Sequence, residues 1–583
     1  MTSDSQRCCL LFSIGLMTIV SSVAIADEIS EIINKGNQSA PAEAWEDDPR
    51  LAYYGSENPW DERFFVHHSV QGYGRFGERQ LIDIVRGKPK EAIQYCEELL
   101  KDDPNDQESL FNMAVAYAHL KDEQSAIASV HRALDAGLPF ARFLAGPRGV
   151  LKPLISMNSF ANIVAQHPTS LLHGPMLGCV TDHSASFWVR TADEKQVEVV
   201  LSTNLNLVGD MLSKTGETSA KHDYTAIITI ENLAPDTVYF CNVRIAGQPV
   251  MKSEFPSFRT YPTAESHGHF SVAFGGGAGY NPPRERMWDT IRSRHPAAFL
   301  TLGDNVYIDA PTMPEVQRYC YYARQSRPEF RKLVASTPIY AIWDDHDAAI
   351  DDVWLGPFRD RPDWKLQCWQ VFCQNWNNPG YGGGESVPGC WFRFSIADVD
   401  FFLLDGRFYR TNPYAREIAG TEPSMLGPDQ KAWLLNGLKK SNATFKVIAS
   451  PVPWDFNTKA EARDTWNGFQ AERNEIFSCL GENHIDGVIL VSADRHRSDA
   501  IRIDRKNAYP LYEFESSWLT NSMQMKHPKL ETAMFSYNDR PSFGLLTFDT
   551  RAADPTVTFN IVNIDNSQVY AIELKKSVLS HAK

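Results

Sequence analysis

With 583 residues, 43% hydrophobic side chains, 14 Trp, 32 Phe and 21 Tyr, the chain has core material for about three or four domains of roughly 150 residues each, and its aromatics argue against extended disorder. Its 57 Lys+Arg against 72 Asp+Glu leave a net charge of −15, so no basic field exists to hold a long nucleic acid. Any anionic ligand must meet positive charge supplied locally, by metal ions or a few arginines.

Residues 1–26 read as a signal peptide. Arg7 precedes an apolar run from Cys8 to Val20, and small residues ending Ala24-Ile25-Ala26 set the cleavage site, which implies export to the periplasm or the extracellular space. The apolar stretch is short for a retained anchor, and no later segment reaches about 18 apolar residues, so no membrane span is expected. Cys8 and Cys9 leave with the signal, and eight of the ten cysteines remain; none forms a C-x-x-C pair, and their connectivity cannot be read.

Residues 27–80 lack periodicity and read as a linker or irregular segment. Over 81–165 the pattern is helical. Ala92, Ile93, Cys96 and Leu99 predict one helix from Pro89, Leu110, Met113, Ala114 and Tyr117 a second from Gln107, and Ala126, Ile127, Val130 and Leu134 a third from Glu123. The segment resembles tetratricopeptide repeats. That resemblance implies a groove for a protein partner; the alternative is a helical cap packed on its neighbour.

Across 170–262 the period changes to two, at Phe187-Trp188-Val189, Val197-Val199-Leu201, Ala226-Ile228-Ile230 and Val238-Phe240-Val243. The stretch Leu233 to Tyr239 resembles the tyrosine corner of fibronectin type III and immunoglobulin-like sandwiches, so an all-β domain with a structural role is expected. From 266 to 583 short apolar strands alternate with helices, which is the pattern of α/β layering. The strands fall near Val272–Phe274, Ala298–Leu302, Ile339–Ile342, Phe401–Leu404, Val447–Ala449 and Val488–Val491. Most run into a polar or glycine-rich cluster, and beyond the carboxyl ends of such strands lies the place for a shared site.

Three clusters stand there. Gly303-Asp304 turns off one strand with Tyr307 following. Asp344-Asp345-His346-Asp347 crowds carboxylates at another strand end, which is unfavourable unless a cation neutralises them. Asp494 and His496 alternate on an extended segment after the last strand. Together they resemble the alkaline phosphatase D (PhoD-like) family of calcineurin-like metallophosphoesterases, matching its Gly-Asp-x-x-Tyr, Trp-Asp-Asp-His-Glu/Asp and Ser-Gly-Asp-x-His pattern, with Ala493 in place of its glycine.

The resemblance implies a multidomain protein whose catalytic part is an α-β-β-α sandwich, and a hydrolase of phosphate mono- or diesters. It implies two divalent metal ions held by Asp304, Tyr307, Asp345, Asp494 and His496, with His346 facing the substrate as charge stabiliser or proton donor. Arg407, in Asp405-Gly406-Arg407, corresponds to a family arginine. It is assigned either to phosphate binding or to a buried pair with Asp405. One family ligand is missing: where a Ser-Cys pair ends the first strand, this chain reads Gly275-Gly276-Gly277-Ala278-Gly279-Tyr280. Without that thiolate, calcium, manganese, magnesium or zinc suit the site better than iron. The glycine run frees backbone N–H groups for a phosphate, so Gly277, Tyr280 and Asn305 are assigned to substrate binding. The partner is then a small phosphate ester, with nucleic acid limited to short diesters. The empty first-strand position also motivates a rival reading, a catalytically silent relative that binds protein through its helices.

Overall fold

The computed structural model describes residues 77–264, 266–413, 420–459, 462–522, 524 and 530–582. The signal-peptide reading and nearly all of the 27–80 segment lie outside the described residues, although a helix, Glu78–Val85, already begins within that segment's last residues.

The three predicted helices are Pro89–Asp102, Gln107–His119 and Glu123–Asp135. Proline opens the first, and aspartates cap the other two. Asp106 accepts from the Ser109 N–H at 3.1 Å, and Asp122 does the same for Ser125, satisfying donors that a helix start leaves open. Three shorter helices, Ala141–Ala145, Arg148–Ile155 and Asn158–Gln166, follow.

Gln107–His119 is buried around almost its whole circumference, so it is an interior helix and not a wall of an open groove. Glu108, fully buried, accepts from Arg142 at 2.6 Å and Tyr319 at 2.5 Å, and it pairs with Arg327. Two of these partners come from the catalytic part. These contacts tie the helical segment to the part that follows the β-domain.

Residues 171–259 form two facing sheets. One orders Leu171–Gly178, Ser184–Thr191 and Thr225–Glu231. The other orders Leu212–Glu217, Gln196–Ser202, Val238–Ile245 and Gln248–Pro249, with Ser257–Arg259 also on Val238–Ile245. Phe187 meets Phe258 edge-to-face between them at 5.7 Å. The Tyr239 hydroxyl accepts the Ala234 N–H at 2.9 Å, which is the bond expected of the corner. Buried polar bridges fasten this domain to the next: Arg190 donates to Gln325 at 2.7 Å and Asn375 at 3.0 Å, and the Trp188 indole to the Gln374 carbonyl at 2.9 Å.

The remainder is a four-layer sandwich. One sheet runs Ile339–Ile342, Ala298–Leu302, His269–Gly275, Ser542–Asp549, Thr556–Asn563, Gln568–Lys575. The other runs Phe392–Ile396, Val399–Leu403, Phe445–Ala449, Val488–Ser492, Leu511–Ser516, Ser498–Ile503, Ala533–Tyr537. The sheets meet through aromatics, with Phe514 stacked on Phe559 at 4.2 Å and Phe401 edge-on to Phe548 at 6.0 Å. Outside them pack Met287–Ser293, Pro314–Gln325 and Pro328–Ser336 on one side and Gly427–Lys440 and Gln470–Glu482 on the other. The predicted strands are the parallel centres of both sheets, so their carboxyl ends open on one edge, where the two sheets touch through a Gly276–Ser517 bridge.

Candidate functional site

The three clusters converge at that edge. Gly303 has φ +104, and a Cβ on it would lie 2.4 Å from the Asp344 Cβ, so only glycine lets the first two loops approach this closely. Asp304 (φ +51), Asp494 (φ +79) and His496 (φ +48) all hold left-handed backbone. Such strain costs on the order of 1 kcal/mol or more per residue and collects at functional sites. Asp347 ties the two loops together: it accepts the N–H groups of Asp344 at 3.1 Å, Asn305 at 3.1 Å and Val306 at 3.3 Å.

Asp304 Oδ2 accepts the Tyr307 hydroxyl at 2.9 Å, and the Tyr307 oxygen lies 3.3 Å from His496 Nε2. Ligand atoms of Asp304, Asp345 and His346 all lie within 4.8 Å of one another, as do those of Asp345, Asp351 and Asp352. Four buried atoms in this group have no hydrogen-bond partner: Asp304 Oδ1, Asp344 Oδ2, Asp494 Oδ2 and His496 Nδ1. Buried carboxylate oxygens and an imidazole nitrogen left open together are what a divalent cation would fill, so the residues fit the metal that the sequence expects. Asp344 joins the candidate ligands through its open oxygen.

Electrostatics point the same way. Burial and the neighbouring Asp345 and Asp344 push the Asp304 carboxyl well above the ordinary range, and burial and Asp345 do so for Asp344. Asp345 is held low despite its burial, by the Arg407 guanidinium and by His346. Burial drives His496 down to about 4, so its imidazole is neutral at physiological pH. His346 is buried, yet its proton affinity is raised well above normal by Asp309, Asp345 and Asp304. Asp309 Oδ1 accepts from its Nδ1 at 2.7 Å, while Nε2 lies 3.6 Å from Asp351.

Other assignments are corrected. Arg407 is fully buried: Nε donates to Asp344 at 2.5 Å, and Nη1 and Nη2 grip Asp464 at 2.6 and 3.1 Å. Its fork already holds a carboxylate and cannot also take a phosphate, so it positions Asp344. Asp405 is not its ion-pair partner; that carboxylate accepts the backbone N–H groups of Arg407 and Phe408, each at 2.8 Å.

In the middle of the glycine run the donors are spent, since the N–H groups of Gly276, Gly277 and Ala278 go to the carbonyls of Ser516, Gly303 and Asp304. Asn305 is buried fastening, its amide donating to the Ile342 carbonyl at 2.8 Å. Tyr280 lies under the Arg327 guanidinium at 3.8 Å, on the side of the helical segment. Gly277 does face the site: a Cβ there would stand 3.6 Å from His496 Cδ2.

Sequence reading missed Asp309, Asp464 and Asn521. The last donates to the Tyr307 oxygen at 2.5 Å, and its backbone N–H holds the Gly277 carbonyl at 3.1 Å. Asn521 follows a C-terminal strand with no flanking motif, so nothing local marked it. An open cleft of about 970 Å³ lies elsewhere, between the β-domain and the sandwich near Arg259, Arg292 and Lys332.

The sandwich and its carboxylate–histidine edge define a metallophosphoesterase-type domain. Residues 272–553 match the model of the PhoD-like phosphatases, so the chain carries a PhoD-like phosphatase domain there. Residues 168–263 match a domain of unknown function, DUF7800. Alkaline phosphatase D of Bacillus subtilis (strain 168) is 29% identical over 114 residues, which are 17% of this chain and 20% of that protein. The alignment thus spans about a fifth of the curated relative. Among solved structures, PhoD superposes with a TM-score of 0.58 at 16% identity, covering 70% of this chain and 90% of that one. A purple acid phosphatase, PPD1 from yellow lupin (Lupinus luteus) seeds, superposes with a TM-score of 0.52 at 10% identity, covering 71% and 76%. These likenesses show a shared fold. Among the described residues no helix is long and apolar enough to cross a membrane.

Proposed function

We propose that the chain is an exported, metal-dependent phosphoesterase acting on phosphate mono- or diesters. One observation carries the reading: Asp304, Asp344, Asp494 and His496 converge at one strand edge with a buried ligand atom left open on each. Asp304, Tyr307, Asp345, Asp494 and His496 would hold the divalent ions, with Asp344 added from the structure. Bound there, such ions neutralise the carboxylates, acidify a water molecule and polarise the phosphoryl group.

The chain's own residues do the rest. Asp309 fixes the Nδ1 side of His346, which leaves Nε2 as the atom that can carry a proton toward a leaving oxygen. Tyr307, itself held by Asn521, orients the Asp304 carboxylate, and Arg407 holds that of Asp344. The N-terminal sequence pattern supports export, and the acidic surface supports a small substrate.

The test is hydrolysis of nitrophenyl phosphate and its bis ester by the full chain across several metals, beside Asp304→Asn. The wild type is expected to bind metal and turn over, and the variant to do neither. A wild type holding less than half an equivalent of any metal and gaining no activity on metal addition would leave the silent, protein-binding relative. Near-normal turnover by Asp304→Asn would remove that residue from the site.

A further inference from the structure

Arg495 sits between two candidate ligands, Asp494 and His496. Its side chain is only 11% exposed. Its backbone N–H is anchored on Glu515 Oε1 at 3.1 Å, yet its guanidinium makes no hydrogen bond to any described residue. Nε is buried without a partner, and the nearest carboxylate oxygen, Asp494 Oδ2, is 3.6 Å from Nη1. A guanidinium brings five fixed donors, and leaving the buried Nε–H open is unfavourable unless something outside the protein fills it.

The neighbouring arginines differ. Arg407 and Arg410 share Asp464, and Arg497 is engaged by Asp499 at 2.5 Å. A second cation stands beside Arg495: Lys459 Nζ lies 2.6 Å from Asp352, 3.2 Å from Asp464 and 3.8 Å from the same Asp494 Oδ2. Its side chain is 16% exposed at the lip of the site.

We infer that Arg495, seconded by Lys459, binds the non-bridging oxygens of the substrate's phosphoryl group and favours a phosphate monoester over a diester. The inference rests on the phosphoesterase reading and supplies the local positive charge an acidic chain needs. A guanidinium fork matches two phosphate oxygens at once. Two cations beside the ion site reward the second negative charge that a monoester carries and a diester lacks. Of the carboxylates nearby, Asp464 is already gripped by Arg407 and Arg410, whereas Asp352 pairs with Lys459 at 2.6 Å and offsets part of that charge, so Arg495 carries the larger share. Asp494 belongs to the candidate metal shell.

The experiment uses the full-length, metal-loaded protein and the variants Arg495→Met, Arg495→Lys and Lys459→Met. Three quantities are read: metal content, calorimetric affinity for inorganic phosphate, and kinetics on nitrophenyl phosphate and its bis ester. Arg495→Met is expected to keep its metal while phosphate affinity and monoester kcat/KM fall by about ten- to a hundredfold, the range for losing a hydrogen bond to a charged group. The diester should suffer less, and Arg495→Lys should recover part of the loss. Lys459→Met, at a less buried site, should show the same pattern more weakly and does not depend on the fold tolerating a change at Arg495. Unchanged phosphate affinity in Arg495→Met with metal intact, or equal loss of metal in both Arg495 variants, would overturn the inference. A wild type that binds phosphate through Arg495 but never turns over would instead sink the phosphoesterase reading and leave the arginine's role standing.

Discussion

Arg407→Met separates a positioning arginine from a substrate-binding one. Methionine matches the length of the buried side chain but removes four contacts: Nε to Asp344, the fork on Asp464, Nη1 to the Val353 carbonyl at 3.0 Å, and Nη2 to Asp345 at 3.7 Å. Removing one partner of a buried ion pair costs about 3–5 kcal/mol, because the other charge stays buried. Asp464 keeps Arg410 at 2.5 Å and Lys459 at 3.2 Å, whereas Asp344, only 1% exposed, keeps no cation. The lower end of the range, about 3 kcal/mol, is therefore expected, more than a hundredfold in the folding equilibrium. Arg407→Lys restores a point charge without the fork and should recover only part of it. Denaturant unfolding followed by tryptophan fluorescence, with metal analysis of the same samples, reads both effects: an earlier midpoint and weaker metal retention as Asp344 loses its anchor. The reasoning is refuted if Arg407→Met keeps the wild-type midpoint and metal content while KM for nitrophenyl phosphate rises tenfold or more. That pattern would mean the side chain leaves Asp464 to meet substrate.

Three further outcomes follow from the geometry. His346→Ala should lower kcat by about 10²-fold or more with metal retained, as expected of a proton donor or charge stabiliser, and metal loss in elemental analysis would make it a ligand. Gly277→Cys places a thiol facing His496 at a backbone of φ +68, so it should tighten binding of iron or zinc at a strain of about 1 kcal/mol; tightly bound iron already present in the wild type would show the gap is filled from elsewhere. His173 is buried against Arg190, whose Nη1 lies 2.9 Å from its Nδ1, and burial with Arg190 and Arg331 holds its pKa well below 6.5. Below that pH the unfolded chain takes up a proton that the folded one refuses. Stability should therefore fall by about 1.4 kcal/mol per unit from pH 6.5 downward until the folded group itself titrates. His173→Gln should remove that slope, and an identical pH dependence of the unfolding midpoint in the two proteins would exclude it.

Much of the sandwich was legible because a buried parallel strand is written as an unbroken apolar run, and most runs here end at a polar or glycine-rich turn. Ile339–Ile342 followed by Trp343 and four ionisable groups shows both halves of that signal. The strands after Ser498 were not read. Ser498–Ile503 and Leu511–Ser516 carry buried Asp499, Glu513 and Glu515, and those charges mask the apolar pattern. Their partners come from distant loops: Glu513 accepts the Trp454 and Asp455 N–H groups, each at 2.8 Å. No local window contains that pairing.

The site shows the same division between local and long-range information. A carboxylate beside a strand end can be found by inspection, but whether an arginine is free or taken depends on what folds against it from elsewhere. Arg407 and Arg495 both follow a strand and an aspartate, and the sequence favours the first. Only the fold brings Asp464, 57 residues away, onto Arg407, while the guanidinium of Arg495 hydrogen-bonds to no described residue and has Asp494 no nearer than 3.6 Å. Placing the phosphate-binding charge at Arg495 also accounts for the acidity around it. A permanent cation held between Asp494 and its neighbours offsets their repulsion while the site is open, and it already stands where the substrate's oxygens would arrive.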